Sequence, residues 1–327
     1  MRPTTFTRRS LIAALSAVPA VALVAGCSNN SKSSASESAG GGNTGSGKKL
    51  AIFATTGYLA DAAKVLDPDA EITTMVMPGG DPHTYEPTTQ DIEKMQSADA
   101  VFSSGVHLEA KMLTQLESLG TKHIAVGDKI DQNELMPWPE KDEQGNDLHD
   151  PHIWNSTTIW QQVVTLMADH LKSINPDKSA DYDKNAEAYK KQIEETDTWA
   201  KQETAKIPEE RRVLVTGHDA FNYFGRAYGI EIHATDFVTS EADMSADDIA
   251  KLADLIATHK LPVIFQDNLK NPQAIQSVKE AVAAKGWQVE VSDQELYADS
   301  LGSEAGVDSY LGVLKHNVTT IVEALSR

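Results

Sequence analysis

Downstream of residue 48, short aliphatic and β-branched runs alternate with segments whose apolar residues recur every three or four positions. The runs predict strands over Leu50–Ala54, Ile72–Val76, Ala100–Ser103 and His123–Val126 in the first half. In the second half they predict strands over Val213–Thr216, Ile230–His233, Leu261–Gln266 and Gln288–Val291. The intervening helices are marked by their ends. Thr88-x-x-Asp91 is a capping-box pattern ahead of Ile92, Met95 and Ala98, and Ser245-x-x-Asp248 repeats it. Leu108 to Leu119 is a helical pattern stopped by Gly120. Asn271-Pro272 reads as an N-cap and first helical residue of a helix that ends at Gly286. Strand–helix alternation of this kind predicts an α/β fold with parallel sheets under covering helices.

Between the halves lies a longer helical pattern, opened by Asn175-Pro176 and closed by Pro208. Ala186, Tyr189, Ile193, Thr196 and Ala200 share one face of it. About 28 residues of helix would run roughly 42 Å, enough to cross between two α/β lobes; two shorter helices with a turn is the other reading. A chain of 327 residues suits two domains. The expected division is an N-terminal α/β lobe at 49–176, a linking helix at 177–207 and a C-terminal α/β lobe at 208–327.

The first 48 residues fall outside this pattern. Arg2, Arg8 and Arg9 form a basic stretch, Leu11 to Val24 an apolar one, and Val24-Ala25-Gly26-Cys27 ends it. The apolar run is too short for a membrane span and reads as a signal peptide over 1–26. Its end resembles a bacterial lipobox, in which the cysteine is acylated and becomes the mature N-terminus. Cys27 is the one cysteine of the chain, so no internal disulfide or thiolate cluster is available. Thr7-Arg8-Arg9-Ser10-Leu11-Ile12 is similar to a twin-arginine export signal, and an ordinary basic leader fits it as well. From Cys27 to residue 48 the chain is almost all Ser, Gly, Asn and Ala, too polar to offset its ordering entropy. That composition predicts a flexible tether with a reach of roughly 25 Å.

A formal net charge of −19 repels phosphate backbones, so nucleic acid is not an expected partner. The same charge attracts cations only diffusely. A specific cation site needs donors at fixed places, and the ten histidines are the first to inspect. A lone loop histidine is more often a surface or satisfied core residue than a ligand. Four positions stand apart because they follow predicted strands, at the ends where open α/β sheets bind ligands. His83 lies in Pro78-Gly79-Gly80-Asp81-Pro82-His83-Thr84-Tyr85-Glu86-Pro87, whose glycines and prolines dictate an unusual backbone path. His152 lies in Asp150-Pro151-His152-Ile153-Trp154, His218 in Thr216-Gly217-His218-Asp219-Ala220, and Asp299 in Leu296-Tyr297-Ala298-Asp299-Ser300. Each half supplies two of them. Three imidazoles and one carboxylate suit zinc and accept manganese.

These stretches resemble the metal-binding solute-binding lipoproteins of bacterial ABC importers, the cluster A-I or TroA/ZnuA-like group. The most specific matches are Gly80-Asp81-Pro82-His83-x-Tyr85-Glu86-Pro87 and Asp150-Pro151-His152-x-Trp154. Val213 to Ile230, with His218-Asp219-Ala220-Phe221, is equally close, as are Leu296 to Ser300 and Tyr310-Leu311-Gly312 with His316-Asn317. The resemblance implies His83, His152, His218 and Asp299 as metal ligands in the cleft between two lobes. It also implies Zn2+ or Mn2+ as the ion, an ABC importer permease as partner, a lipid-anchored extracytoplasmic location and a monomer.

Some positions depart from the group. Manganese-specialised members usually carry glutamate where His218 stands. Zinc-specialised members often carry a His-rich loop where Met136 to Leu148 is acidic and free of histidine. Ser104 replaces the usual Asn, and His107 beside Glu109 reads as a helix-start residue. The sequence resembles the mixed zinc/manganese subgroup. A metalloenzyme is the rival from another class, with Asp219 and Glu86 as candidate bases. No His-Glu-x-x-His motif is present, and hydrogen bonding to a ligand histidine is the plainer role for both carboxylates. An adhesin is the other rival, and no residue pattern speaks for it.

Overall fold

The computed structural model describes residues 49–142, 144–235, 245–267 and 272–327. The expected signal peptide, Cys27 and the tether lie outside these residues, as does the N-cap expected at Asn271.

The N-terminal lobe alternates β1 (Ala51–Ala54), α1 (Gly57–Leu66), β2 (Glu71–Thr74), α2 (Thr89–Ser97), β3 (Ala100–Ser103), the short α3 (Leu113–Glu117) and β4 (His123–Ala125). The strands form one parallel sheet in the order β2-β1-β3-β4, with Ile52 beside Ile72 and Phe53 beside Val101. Central β3 is buried throughout, whereas edge strands β2 and β4 are half-exposed. That contrast is why the central runs are continuously apolar. Thr88 and Asp91 close a reciprocal capping box on α2, and Thr56 caps α1 by accepting from Leu59 N–H.

An antiparallel hairpin follows, β5 (Pro137–Lys141) and β6 (Asp147–His149), where the sequence pattern reads only as an acidic loop. Two prolines and a tight polar turn hide its alternation. The helical pattern at 108–119 is also shorter than expected. A left-handed turn at Val106 and His107 precedes it, so His107 does not start the helix.

Helix α4 (Thr157–Ile174) leads to α5 (Ser179–Thr204), one unbroken helix of 26 residues. Tyr182, Ala186, Tyr189 and Ile193 of α5 enter the N-terminal core, and Ala200 enters the C-terminal one. Polar bonds fix its first turns to α1: Tyr182 OH donates to Asp67 Oδ2 at 3.0 Å and Tyr189 OH to Asp61 Oδ2 at 2.9 Å.

The C-terminal lobe runs β7 (Val213–Thr216), α6 (Asn222–Tyr228), β8 (Glu231–Ala234), α7 (Ala246–His259), β9 (Val263–Ile264), α8 (Pro272–Ala284), β10 (Glu290–Val291) and α9 (Tyr310–Leu325). β7 pairs with β8 and β9 with β10, all parallel. Phe265 N–H donates to Val215 C=O, which ties the two pairs together. β9 and β10 are shorter than the predicted runs, although isolated parallel pairing continues at Asp267 and Leu296.

Candidate metal centre

Each of the four residues singled out from sequence sits in a loop held by its own hydrogen bonds. His83 lies in the loop after β2. Asp81 accepts from His83 N–H at 2.8 Å and from Thr84 Oγ1 at 2.7 Å, a local turn made by the Asp side chain. Gly80 is needed there, because an added Cβ would lie 2.8 Å from Val76 Cγ1. His152 follows the hairpin rather than a strand of the parallel sheet. Asp150 Oδ1 accepts from His152 N–H at 2.9 Å and sits 2.7 Å from the ring Nδ1. His218 follows β7, with Asp267 Oδ2 accepting from its N–H at 2.8 Å and lying 3.0 Å from its Nδ1. A Cβ on Gly217 would come within 2.5 Å of that same Asp267 oxygen, so only glycine lets the loop approach.

The Asp299 loop is held from both lobes. Trp154 Nε1 and Tyr58 OH of the N-terminal lobe donate to Ala298 C=O at 2.7 and 3.1 Å. Gly79 N–H donates to Ser300 Oγ at 3.0 Å. From the C-terminal lobe, Asn317 bonds both the N–H and the C=O of Tyr297.

These loops bring His83, His152, His218 and Asp299 together, with one ligand atom from each lying within 4.8 Å of all the others. His83 Nε2 is 3.1 Å from His152 Nε2 and 3.4 Å from Asp299 Oδ2. Asp299 Oδ1 is 3.4 Å from His152 Nε2, and Oδ2 is 3.1 Å from His218 Nε2. A tetrahedral ion with bonds of roughly 2.0–2.1 Å would separate its ligands by roughly 3.3–3.4 Å, close to these values.

His152, His218 and Asp299 are buried, and His83 is nearly so. His218 Nε2 and both Asp299 oxygens lack a hydrogen-bond partner despite their burial. The nearest polar neighbours of these atoms are one another and the other two imidazoles, at 3.1–3.4 Å, so the donor groups converge on one point. A buried polar atom without a partner costs about 1–3 kcal/mol, and three together need a shared explanation. Because Asp150 and Asp267 accept from Nδ1–H, His152 and His218 present unprotonated Nε2 to that point when neutral.

The charges are strongly coupled. Burial pulls the His218 imidazolium down, but the Asp299 and Asp267 carboxylates outweigh it and hold its pKa well above the ordinary 6.5. Burial pushes Asp299 up, but His218, His152 and His83 outweigh it and hold its carboxyl well below 3.8. Without an ion, the centre stores a proton on imidazole beside an ionised carboxylate.

Sequence reasoning misses the anchoring carboxylates. Asp150 and Asp267 orient the rings, whereas Glu86 is exposed and faces Lys111 at 3.5 Å. Asp219 is raised by burial and by Asp150, and accepts from Asn222 rather than from a histidine. Asp150 has a local signal, its place two residues before His152. Asp267 has none, lying 49 residues from His218.

The family described as "Zinc-uptake complex component A periplasmic" (ZnuA) matches residues 52–324. The manganese-binding lipoprotein MntA of Bacillus subtilis (strain 168) is 34% identical over 282 residues, which are 85% of this chain and 90% of that protein. The solved periplasmic zinc-binding protein TroA of Treponema pallidum is 34% identical, with a TM-score of 0.78, over 85% of this chain and 100% of that one. Fe(III)-bound YtgA of Chlamydia trachomatis is 26% identical, with a TM-score of 0.76, over 85% and 98%.

Proposed function

Because the chain belongs to the periplasmic zinc-uptake component A family, we propose that His83, His152, His218 and Asp299 together capture one divalent transition-metal ion outside the cytoplasm for delivery to the membrane permease of an ABC importer. The observation that carries this reading is the convergence of buried, unpartnered His218 Nε2 and Asp299 oxygens beside His83 and His152 Nε2. Relatives named as binding manganese, zinc and Fe(III) support a transition metal as cargo.

Zinc is the metal favoured here. Three nitrogens and one oxygen suit it, four ligands satisfy it, and affinity for a given site rises from manganese towards zinc. Asp299 turns both oxygens towards histidines, which leaves manganese a fifth donor. A catalytic zinc keeps a coordination position open for water or substrate. Four converging side chains support a carrier over a hydrolase.

Lipid anchoring through Cys27 suits a carrier that must stay near its permease. Cys27→Ala should release the protein from the membrane fraction while leaving metal binding intact. The direct test of the function is metal content by inductively coupled plasma analysis of the protein as purified, followed by zinc titration of the chelator-stripped chain. One equivalent of tightly held ion is expected. A stripped chain that takes up no zinc or manganese would refute the reading.

A further inference from the structure

Three of the four ligands are sealed in, and His83 is the one with a wall to the outside. A cavity of about 170 Å3 lies against it, walled also by His107, His149, Trp138, Lys141 and Pro151. That volume holds several waters, and so an ion that still carries part of its hydration shell. Two imidazoles outside the ligand set face the same space. One of them is held there under strain. Val106 and His107 both lie in the left-handed region, at φ of 52° and 65°, which a β-branched valine rarely adopts. Two carboxylates enforce the turn, Glu109 from the interior and Asp128 from the surface. Asp128 Oδ1 accepts from Val106 N–H at 2.7 Å, and Glu109 accepts from Ser104 N–H and Gly105 N–H at 2.8 and 3.1 Å. Strain held in this way tends to sit where a side chain's position matters. The mouth carries both signs: Asp142 lies close enough to His107 to interact electrostatically, and Asp147, which pairs with Lys141, interacts with His149.

We propose that this cavity is the route by which the cation reaches and leaves the centre, and that His107 and His149 are its outer, transient imidazole partners, passing the ion to His83. The proposal rests on the metal-capture reading and adds a path to it. Neutral imidazoles suit a borderline cation that must be stripped of water in steps rather than at once. Partners that act only along the path lower the barrier in both directions and leave the end states alone.

The test is stopped-flow mixing of the stripped full-length chain with Zn2+ at pH 8, followed by tryptophan fluorescence. Trp138 reports directly, since its ring lies 5.6 Å from the His152 ring. Asn tolerates the left-handed conformation, so His107→Asn combined with His149→Gln removes both imidazoles without disturbing the turn. Relative to wild type, the double variant should slow both association and chelator-driven dissociation by about fivefold or more, with Kd kept within about twofold. Unchanged association would overturn the proposal. So would slower association with dissociation unchanged and a proportionally weaker Kd, because the imidazoles would then belong to the equilibrium site. If wild type itself binds no zinc, the capture reading fails first and takes the path with it.

Discussion

The tripeptide Asp-Pro-His occurs twice, at 81–83 and at 150–152, and the two copies show what local sequence can and cannot do. In both, the Asp carboxylate accepts the N–H of the histidine two residues on, at 2.8 and 2.9 Å. There the likeness ends. Asp150 is fully buried, also holds the His152 ring through Nδ1, and accepts from Asn222 of the opposite lobe. The remaining oxygen of Asp81 takes the Thr84 hydroxyl, and among the described residues no carboxylate holds Nδ1 of His83. One copy makes a ring locked in orientation and tautomer. The other makes a ring whose Nδ1 no carboxylate holds and whose Nε2 meets only the other members of the centre, against a cavity of about 170 Å3. The same turn thus yields one ring fixed by a buried carboxylate and one without that anchor, and the neighbours from the rest of the chain decide which.

The largest test of this contrast removes each ring. His83→Ala, His152→Ala, His218→Ala and Asp299→Ala should each abolish most of the metal-induced rise in melting temperature. That rise corresponds to about 2.7 kcal/mol at metal a hundred times above Kd. His170→Ala and His259→Ala should keep it. In the stripped protein the two copies should part company. His152→Ala strands the buried Asp150 and should cost about 1–3 kcal/mol, whereas His83→Ala should stay within roughly 0.5 kcal/mol. Thermal denaturation with and without zinc measures both, and equal losses in the stripped state would erase the distinction.

Next come the carboxylates. Asp150→Asn should weaken zinc binding about 10- to 100-fold, because the ring loses the acceptor that fixes its tautomer. Asp81→Asn should change it less than about threefold, since Asn makes the same turn. Competition titration against a zinc chelator would read both, and a comparable loss in the two would mean that Asp81 does more than shape the loop.

The pH dependence is the third test. In the metal-free centre His218 keeps its proton to well above pH 6.5, so an incoming ion must expel it. Affinity should therefore fall as pH drops through neutrality, by about tenfold per pH unit for one displaced proton. Asp299 stays ionised across that range and adds no slope there. This places the decline higher than the pH 6 region expected of an unperturbed imidazole. The same pair acts in the stripped fold. His218 contributes stability below pH 6.5 that is lost as pH rises through its raised pKa. Asp299 contributes above pH 3.8 and loses it as pH falls through its lowered one. His218→Lys is no control, so buffered zinc titrations of wild type and His218→Gln should be compared, and the variant should show the shallower slope.

The smallest expected effect is on selectivity. His218 is anchored by Asp267 as His152 is by Asp150, so replacing it tests whether anchored nitrogens set the preference. His218→Glu should move the zinc-to-manganese affinity ratio several-fold, about 1 kcal/mol, towards manganese. A ratio unchanged in competition titrations would assign selectivity to the geometry of the lobes instead.

Much of this molecule is readable from the chain because the signals are short-ranged. The capping box at Thr88, the N-cap at Ser245 (whose hydroxyl, not its backbone N–H, bonds Asp248) and the turn at Asp81 join residues three positions apart or closer, and their donors and acceptors are visible in the sequence. The alternation of strand and helix follows from periodicity, and α5 runs unbroken because no Gly or Pro interrupts its face. The hairpin at 137–149 and the left-handed turn at Val106 escaped the pattern. Prolines disguised the first, and the second exists only because the side chains of Asp128 and Glu109 reach in from outside it.

Taken alone, the sequence determined the α/β alternation, the helix ends and the loops in which His83, His152, His218 and Asp299 stand. Tertiary structure alone decided how close those four come, which rings are anchored, and that the unanchored one borders a cavity. The bonds responsible span 49 residues from Asp267 to His218, 72 from Asp150 to Asn222 and 221 from Gly79 to Ser300. No local pattern encodes contacts at such separations. They form only when burial of both cores has already brought the loops together, and the entropy of closing those loops is offset by the packing around them rather than by the bonds themselves.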